Sequence, residues 1–169
     1  MGKEKKKQLG VLGLVVALVL VLVGSMVFVG ATAGWFDDPK VVIDNSYTCE
    51  EQDCEFLNLD AASYEELIGE KRSFIIFVDQ PSCTTADRLR SFIMDWANEV
   101  RITPHKMMFE QLKESSLHEK VKYYPSIVII DKGNIRTFLR ADSDEDSEMY
   151  NNYDAFYDWM GKNIQYSNN

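Results

Sequence analysis

Histidine is scarce in this chain, and nothing in its placement makes up for the shortage. The two histidines, His105 and His118, lack ligand-like spacing, which argues against a histidine-based metal centre. No Gly-rich phosphate loop is present, so the usual signature of nucleotide binding is missing. No internal repeat is visible, and neither paired catalytic carboxylates nor a Ser/His/Asp arrangement can be assembled. Positive charge is also scarce beyond the N-terminus. The first eight residues hold 4 of the 18 basic groups and 1 of the 27 acidic ones, leaving 14 basic against 26 acidic groups and a net charge of −12. Such a surface repels nucleic acid and anionic headgroups. The sequence therefore calls for no nucleic-acid partner, no metal and no cofactor.

Charge of either sign is absent from Leu9 to Phe36. A helix needs roughly 20 apolar residues to cross the hydrocarbon core, and this run is long enough. Lys3, Lys5, Lys6 and Lys7 precede it, so the N-terminus is expected in the cytoplasm and the remainder outside, as a single-pass membrane protein. Ala31-Thr32-Ala33 resembles a small-residue cleavage site, but the run exceeds the usual signal-peptide core. The expected organisation is a basic tail over 1–8, a transmembrane anchor over 9–34, a membrane-proximal linker over 35–54, and one domain over 55–169. A domain of that size has room for one core and not for two.

Cysteine is limited to three positions, all beyond the anchor. In an oxidising compartment Cys49 and Cys54 are close enough to close a small disulfide loop, worth about 2 kcal/mol by loop-entropy arithmetic. A metal pair would need two further ligands nearby. Pairing Cys49 with Cys54 leaves Cys83 as the odd thiol.

Periodicity supplies the element order. A strand is expected over Glu55 to Leu59, then a helix starting at Asp60 to Ser63, capped by Ser63 with Glu66 three residues on. Ser73 to Asp79 is apolar almost throughout, as a strand covered on both faces must be. Leu89, Phe92, Ile93, Trp96, Ala97 and Val100 form one helical stripe. A strand around Lys106 to Phe109, a helix over Gln111 to Lys122 and a buried strand over Tyr123 to Ile130 follow. Lys132-Gly133-Asn134 then turns the chain into a hairpin strand over Ile135 to Arg140. The acidic stretch Asp142 to Glu148 leads to a last helix with Tyr153, Phe156, Trp159 and Ile164 inward. Asp142, Asp144 and Asp146 alternate like a calcium loop, but Ser147 stands where its glycine belongs and the late Glu is missing. Strands alternating with helices argue an α/β fold, a mixed central sheet flanked by helices.

Two marks sharpen this order. Cys83-Thr84-Thr85-Ala86 opens the helix after the central strand, and Pro125 enters the later strand Ser126-Ile127-Val128-Ile129-Ile130. With these marks the region from Glu55 to Tyr166 resembles the thioredoxin-like superfamily. The resemblance implies a redox-active Cys83 and a cis Tyr124–Pro125 bond facing it, with Tyr124 and Pro125 binding substrate. Together with the anchor, the chain resembles thioredoxin-like proteins of the bacterial envelope and, more distantly, accessory proteins of bacteriocin export. It departs from the Cys-x-x-Cys pattern at Ala86.

That departure decides which reactions remain. The first-turn amides of a helix can stabilise a thiolate at its start. A dithiol reductase then releases substrate when its second cysteine attacks the mixed disulfide, which Ala86 cannot do. A monothiol exchange at Cys83 is left, resolved by a thiol from another molecule. Asp87 in the first turn works against the thiolate, and Arg88 and Arg90 oppose Asp87 only if they point toward it. The alternative is a non-catalytic module that offers a peptide groove near Pro125 to a membrane or export partner.

Overall fold

The computed structural model describes residues 19–21, 39–50 and 53–166. The chain divides into two units, Met1–Pro39 and Lys40–Asn169. Residues 19–21 of the first unit are helical and exposed; the rest of the expected anchor over 9–34 lies outside the described residues. Among the described residues no helix is long and apolar enough to cross a membrane.

In the second unit the chain forms β1 (Val41–Val42), β2 (Leu57–Asn58), α1 (Ala61–Gly69), β3 (Phe74–Asp79) and α2 (Thr84–Val100). It continues with β4 (His105–Met108), α3 (Phe109–Glu114), β5 (Ser126–Asp131), β6 (Asn134–Phe138), α4 (Tyr153–Asn163) and β7 (Ile164–Gln165). The main sheet runs in the order β2-β4-β3-β5-β6. β3 is parallel to β4 and antiparallel to β5, so the sheet is mixed, as the element order predicts. All six residues of β3 are buried, which requires cover on both faces.

α2 supplies part of that cover. Leu89, Ile93, Trp96 and Ala97 are fully buried, and Ala86 joins them on the same face. Phe92 packs edge-on against Tyr153 at 5.5 Å and beside Phe156 at 5.9 Å, which joins α2 to α4. Arg90 crosses from α2 to the end of β3. Its guanidinium pairs with the buried Asp79 carboxylate at 2.7 Å and with Asp87 at 2.7 Å. These two carboxylates hold the Arg90 pKa above its ordinary value, the Asp79 hydrogen bond contributing most.

The β5–β6 hairpin turns through Lys132 and Gly133, both at positive φ (49° and 77°), as its twist demands. The turn is docked: a Cβ on Gly133 would lie 2.5 Å from the Ile68 carbonyl oxygen, and the Gly133 N–H donates to Arg72 O at 2.9 Å.

Several expectations are corrected. The segment read as linker, 35–54, contributes to the core: Val41, Ile43, Tyr47 and Cys54 are buried, and β1 pairs with β7. Its apolar residues are too few and too local to show a partner 123 positions away, as Val41 pairs with Ile164. The cap of α1 is Asp60, whose carboxylate accepts the Ser63 N–H at 2.7 Å; Ser63 lies inside the helix. The helix expected over 111–122 breaks at Ser115, because Ser115 Oγ donates to Leu112 O and the Ser116 N–H donates to Glu65. Such local side-chain bonds compete with the helical ladder. On α4, Met160 rather than Trp159 fills the interior.

His105 is 4% exposed and wedged between the rings of Tyr47 and Phe74, at 4.7 and 5.1 Å. Burial lowers its pKa from 6.5 to about 4. The unfolded chain therefore binds a proton here before the folded one does. The stabilisation is complete above pH 6.5 and is lost as pH falls toward 4. Its full size is about 3 kcal/mol. Urea unfolding across this window should show a steeper loss of stability than the same titration of His105→Phe. Equal slopes would remove His105 as the cause. A second substitution, Arg90→Met, leaves Asp79 buried without its partner. It should cost about 2 kcal/mol in the same assay, below the range for fully buried pairs because Arg90 is partly exposed. The double variant with Asp79→Asn should recover part of that loss.

Candidate functional site

The end of β3 and the start of α2 are joined by a short turn, Gln80 to Ser82. Ser82 takes a left-handed conformation, φ 60°, an uncommon state for a residue with a side chain. This reversal places Cys83 at the N-cap of α2, in extended geometry (φ −112°, ψ 117°). The Cys83 carbonyl accepts the Asp87 N–H at 3.0 Å, closing the first turn. The residue is half-buried and packs on the rim of the core. It is the free cysteine of the chain. One turn on, where a second cysteine would stand, Ala86 is wholly buried.

The charges around this turn have definite partners. Arg90 is committed to Asp79 and Asp87, so the Asp87 carboxylate is paired. Arg88 points the other way and donates to Asn151 Oδ1 and, at 3.4 Å, to Tyr150 O. The sequence left both directions open. The Arg90–Asp87 pair was within reach of an i,i+3 reading, whereas partners more than 60 positions apart leave no local mark.

Pro125 reaches the same end of the sheet from the opposite direction. Val78 is in register with Ser126, so the line of β5 carries Pro125 to the level of Asp79, the last residue of β3. The Tyr124–Pro125 bond is cis, as the resemblance implied. Pro125 is buried and Tyr124 half-buried, the latter stacked on Phe109 with ring centroids 5.4 Å apart. Lys113 lies over the other member of this stack, 4.9 Å from the Phe109 centroid. The Tyr150 hydroxyl donates to the Pro125 carbonyl at 2.9 Å. Burial, with Asp146 and Asp142 adding repulsion, pushes the Tyr150 pKa up, so it stays a proton donor.

This bond ties the acidic segment to the candidate site, a link that sequence reasoning missed. Thr85, Asp142, Asp144 and Asn151 line a cleft of about 320 Å³ beside the first turn of α2. Asp146 turns away from it, accepting the Arg140 N–H at 2.7 Å. Asp142, Asp144 and Asp146 therefore do not converge as a calcium loop would, and no metal-binding cluster occurs among the described residues. His105 is packed in the core and His118 lies in the 3₁₀ turn Ser116–Glu119, remote in role from Cys83.

Cys49 and Cys54 are joined as expected, with Cα atoms 5.6 Å apart. They sit at the other end of α2, where Cys54 Sγ lies 3.3 Å from the Ala97 carbonyl. Ala97 is fourteen residues beyond Cys83 along this helix, or about 21 Å at the helical rise. The fold brings Cys83 and Pro125 to one end of the sheet and keeps the disulfide away from both.

No family model matches the chain, and no curated protein matches it either. Solved structures do. A mutant thioredoxin from Halobacterium salinarum is 12% identical, with 71% of this chain and 98% of that one covered and a TM-score of 0.51. The oxidised thioredoxin from Plasmodium falciparum is also 12% identical, covering 61% of this chain and 99% of its own, with a TM-score of 0.46. At such identity the likeness concerns backbone architecture alone. The halobacterial match, the mixed sheet order and the cis Tyr124–Pro125 bond after α3 agree with one another: this chain has a thioredoxin-like fold.

Proposed function

We propose that the domain carries out monothiol thiol–disulfide exchange at Cys83, outside the cytoplasm and tethered by the N-terminal segment. The observation that carries this reading is the half-buried Cys83 at the N-cap of α2, at the sheet end that also holds Pro125. In the first step the Cys83 sulfur attacks one sulfur of a substrate disulfide. A Cys83–substrate bond forms and the other substrate sulfur leaves as a thiolate. Ala86 has no sulfur to break this bond, and the Cys49–Cys54 pair is about 21 Å along the helix. A thiol from another molecule completes the exchange. Tyr124 and Pro125 would border the substrate chain.

A second reading has its own support. Tyr123 is 57% exposed beside the Tyr124–Phe109 stack, a feature that suits a docking surface as well as a catalytic one. In that reading the domain is a thioredoxin-like accessory module that holds a protein partner at the membrane without chemistry.

The two readings separate cleanly in cells. Monothiol exchange predicts disulfide-linked adducts of the full-length protein that fall to background in Cys83→Ser. The docking module predicts capture that survives Cys83→Ser and weakens in Tyr124→Ala. Ala86→Cys supplies the missing resolving sulfur and should turn trapping into multiple turnovers of insulin reduction. Single-turnover behaviour in that variant would count against a catalytic site. For the tether, protease added to spheroplasts should digest the domain without detergent. Protection until the membrane is opened would overturn the topology.

A further inference from the structure

Two elements carry the site: α2, which Cys83 caps, and β5, which Pro125 precedes. One residue outside both is bonded to each side. The Tyr150 hydroxyl donates to the Pro125 carbonyl at 2.9 Å. The Tyr150 carbonyl accepts from Arg88 Nη1 of α2 at 3.4 Å, five positions after Cys83. Asn151 repeats the second link, since its Oδ1 accepts from the same Arg88 nitrogen.

The Pro125 end of this bridge depends on one atom. Proline has no N–H, so the carbonyl is the only polar group of Pro125. Pro125 is buried, and Tyr150 is 6% exposed. Loss of the hydroxyl therefore leaves a sheltered carbonyl without this donor. At the α2 end the link is made by hydrogen bonds rather than close packing. Thr85 of α2 lines a cleft of about 320 Å³ together with Asp142, Asp144 and Asn151, and Arg88 itself is exposed.

Tyr150 is held firmly enough to act on others. Upstream, Asp146 accepts the Arg140 N–H at 2.7 Å, which folds the acidic segment on itself. Downstream, Asn152 caps α4 by accepting the Asp154 N–H at 2.9 Å. Tyr150 thus sits between two fixed points and reaches both parts of the site.

We infer that Tyr150 is a positioning residue for exchange at Cys83, setting where Pro125 lies relative to α2 and so how a peptide disulfide aligns with the sulfur. This rests on the monothiol exchange proposed for Cys83. Tyr150 touches neither the sulfur nor the leaving group. It acts through Pro125, so it governs peptide substrates and not the reactivity of the thiol itself.

The test uses full-length protein in detergent with two disulfides that release the same chromophore. One is a peptide whose cysteine is joined to thionitrobenzoate, and the other is the symmetrical nitrobenzoate disulfide without peptide. In both, Cys83 attacks one sulfur and thionitrobenzoate leaves as a coloured thiolate. Tyr150→Phe keeps the ring and removes the donor. It should slow the peptide reaction by about fivefold, the scale of one hydrogen bond, and leave the small reagent's rate unchanged. Arg88→Ala, at an exposed position, should also slow the peptide alone. The double variant should be no slower than the slower single variant, because both cut one bridge. Equal peptide rates in wild type and Tyr150→Phe would overturn the inference, as would equal slowing with both reagents. If Tyr150→Phe does not fold, Arg88→Ala decides by the same comparison. A wild-type protein that forms no peptide adduct would overturn the exchange at Cys83, and this inference with it.

Discussion

Burial of β3 on both faces is the constraint from which the rest of this domain follows. A strand with no polar side cannot border solvent, so helices must pack above and below it. α2 meets that need with a stripe of Leu89, Ile93, Trp96 and Ala97, and α4 leans on α2 through Phe92. The ends of the strand then become the places where the chain is free to do something other than pack. Asp79 is the first charged residue after five apolar ones, and it ends the strand.

Buried charge at that end has consequences for the site. Asp79 needs a counter-charge, and Arg90 provides it from the second turn of α2 while also holding Asp87. The pair ties α2 to the end of β3, on a helix whose rotation is set by its buried stripe of Leu89, Ile93, Trp96 and Ala97. That rotation turns Ala86 inward and leaves Cys83 on the rim. The position of the sulfur is therefore set by packing and by an ion pair below it, not by the turn alone. On the facing strand, Tyr150 performs a similar service for Pro125 by occupying its carbonyl.

The parts legible in the sequence were those with a strong local period. β3, α2, β5 and the Lys132-Gly133 turn were readable because their patterns repeat within a few residues. So was the mark at Pro125, since a proline before a buried strand is conspicuous. The segment over 41–54 was not, because β1 is two residues long and its partner lies near the other end of the chain. The break at Ser115 was invisible for a related reason: it depends on Glu65, 51 positions away from Ser116. At the site, residue identities could be read but contacts could not. The sequence placed Cys83 and Pro125 at strand ends, yet gave no sign that the acidic segment would be fastened to Pro125 by Tyr150.

The hairpin turn at Lys132 and Gly133 bears on how the protein can be altered. Hairpin tips are usually the most forgiving places to lengthen a chain, because their backbone faces water. Here the tip rests on the Ile68 carbonyl and donates to Arg72, so it acts as a bearing between the sheet edge and α1. An epitope or reporter inserted there would pry the two apart. The acidic stretch is more exposed at Glu145, but an insertion there would load the same segment that holds Pro125. The chain thus has few neutral places for a label close to Cys83, and the exposed outer face of α4 near Asp158 and Lys162 is the better mounting point.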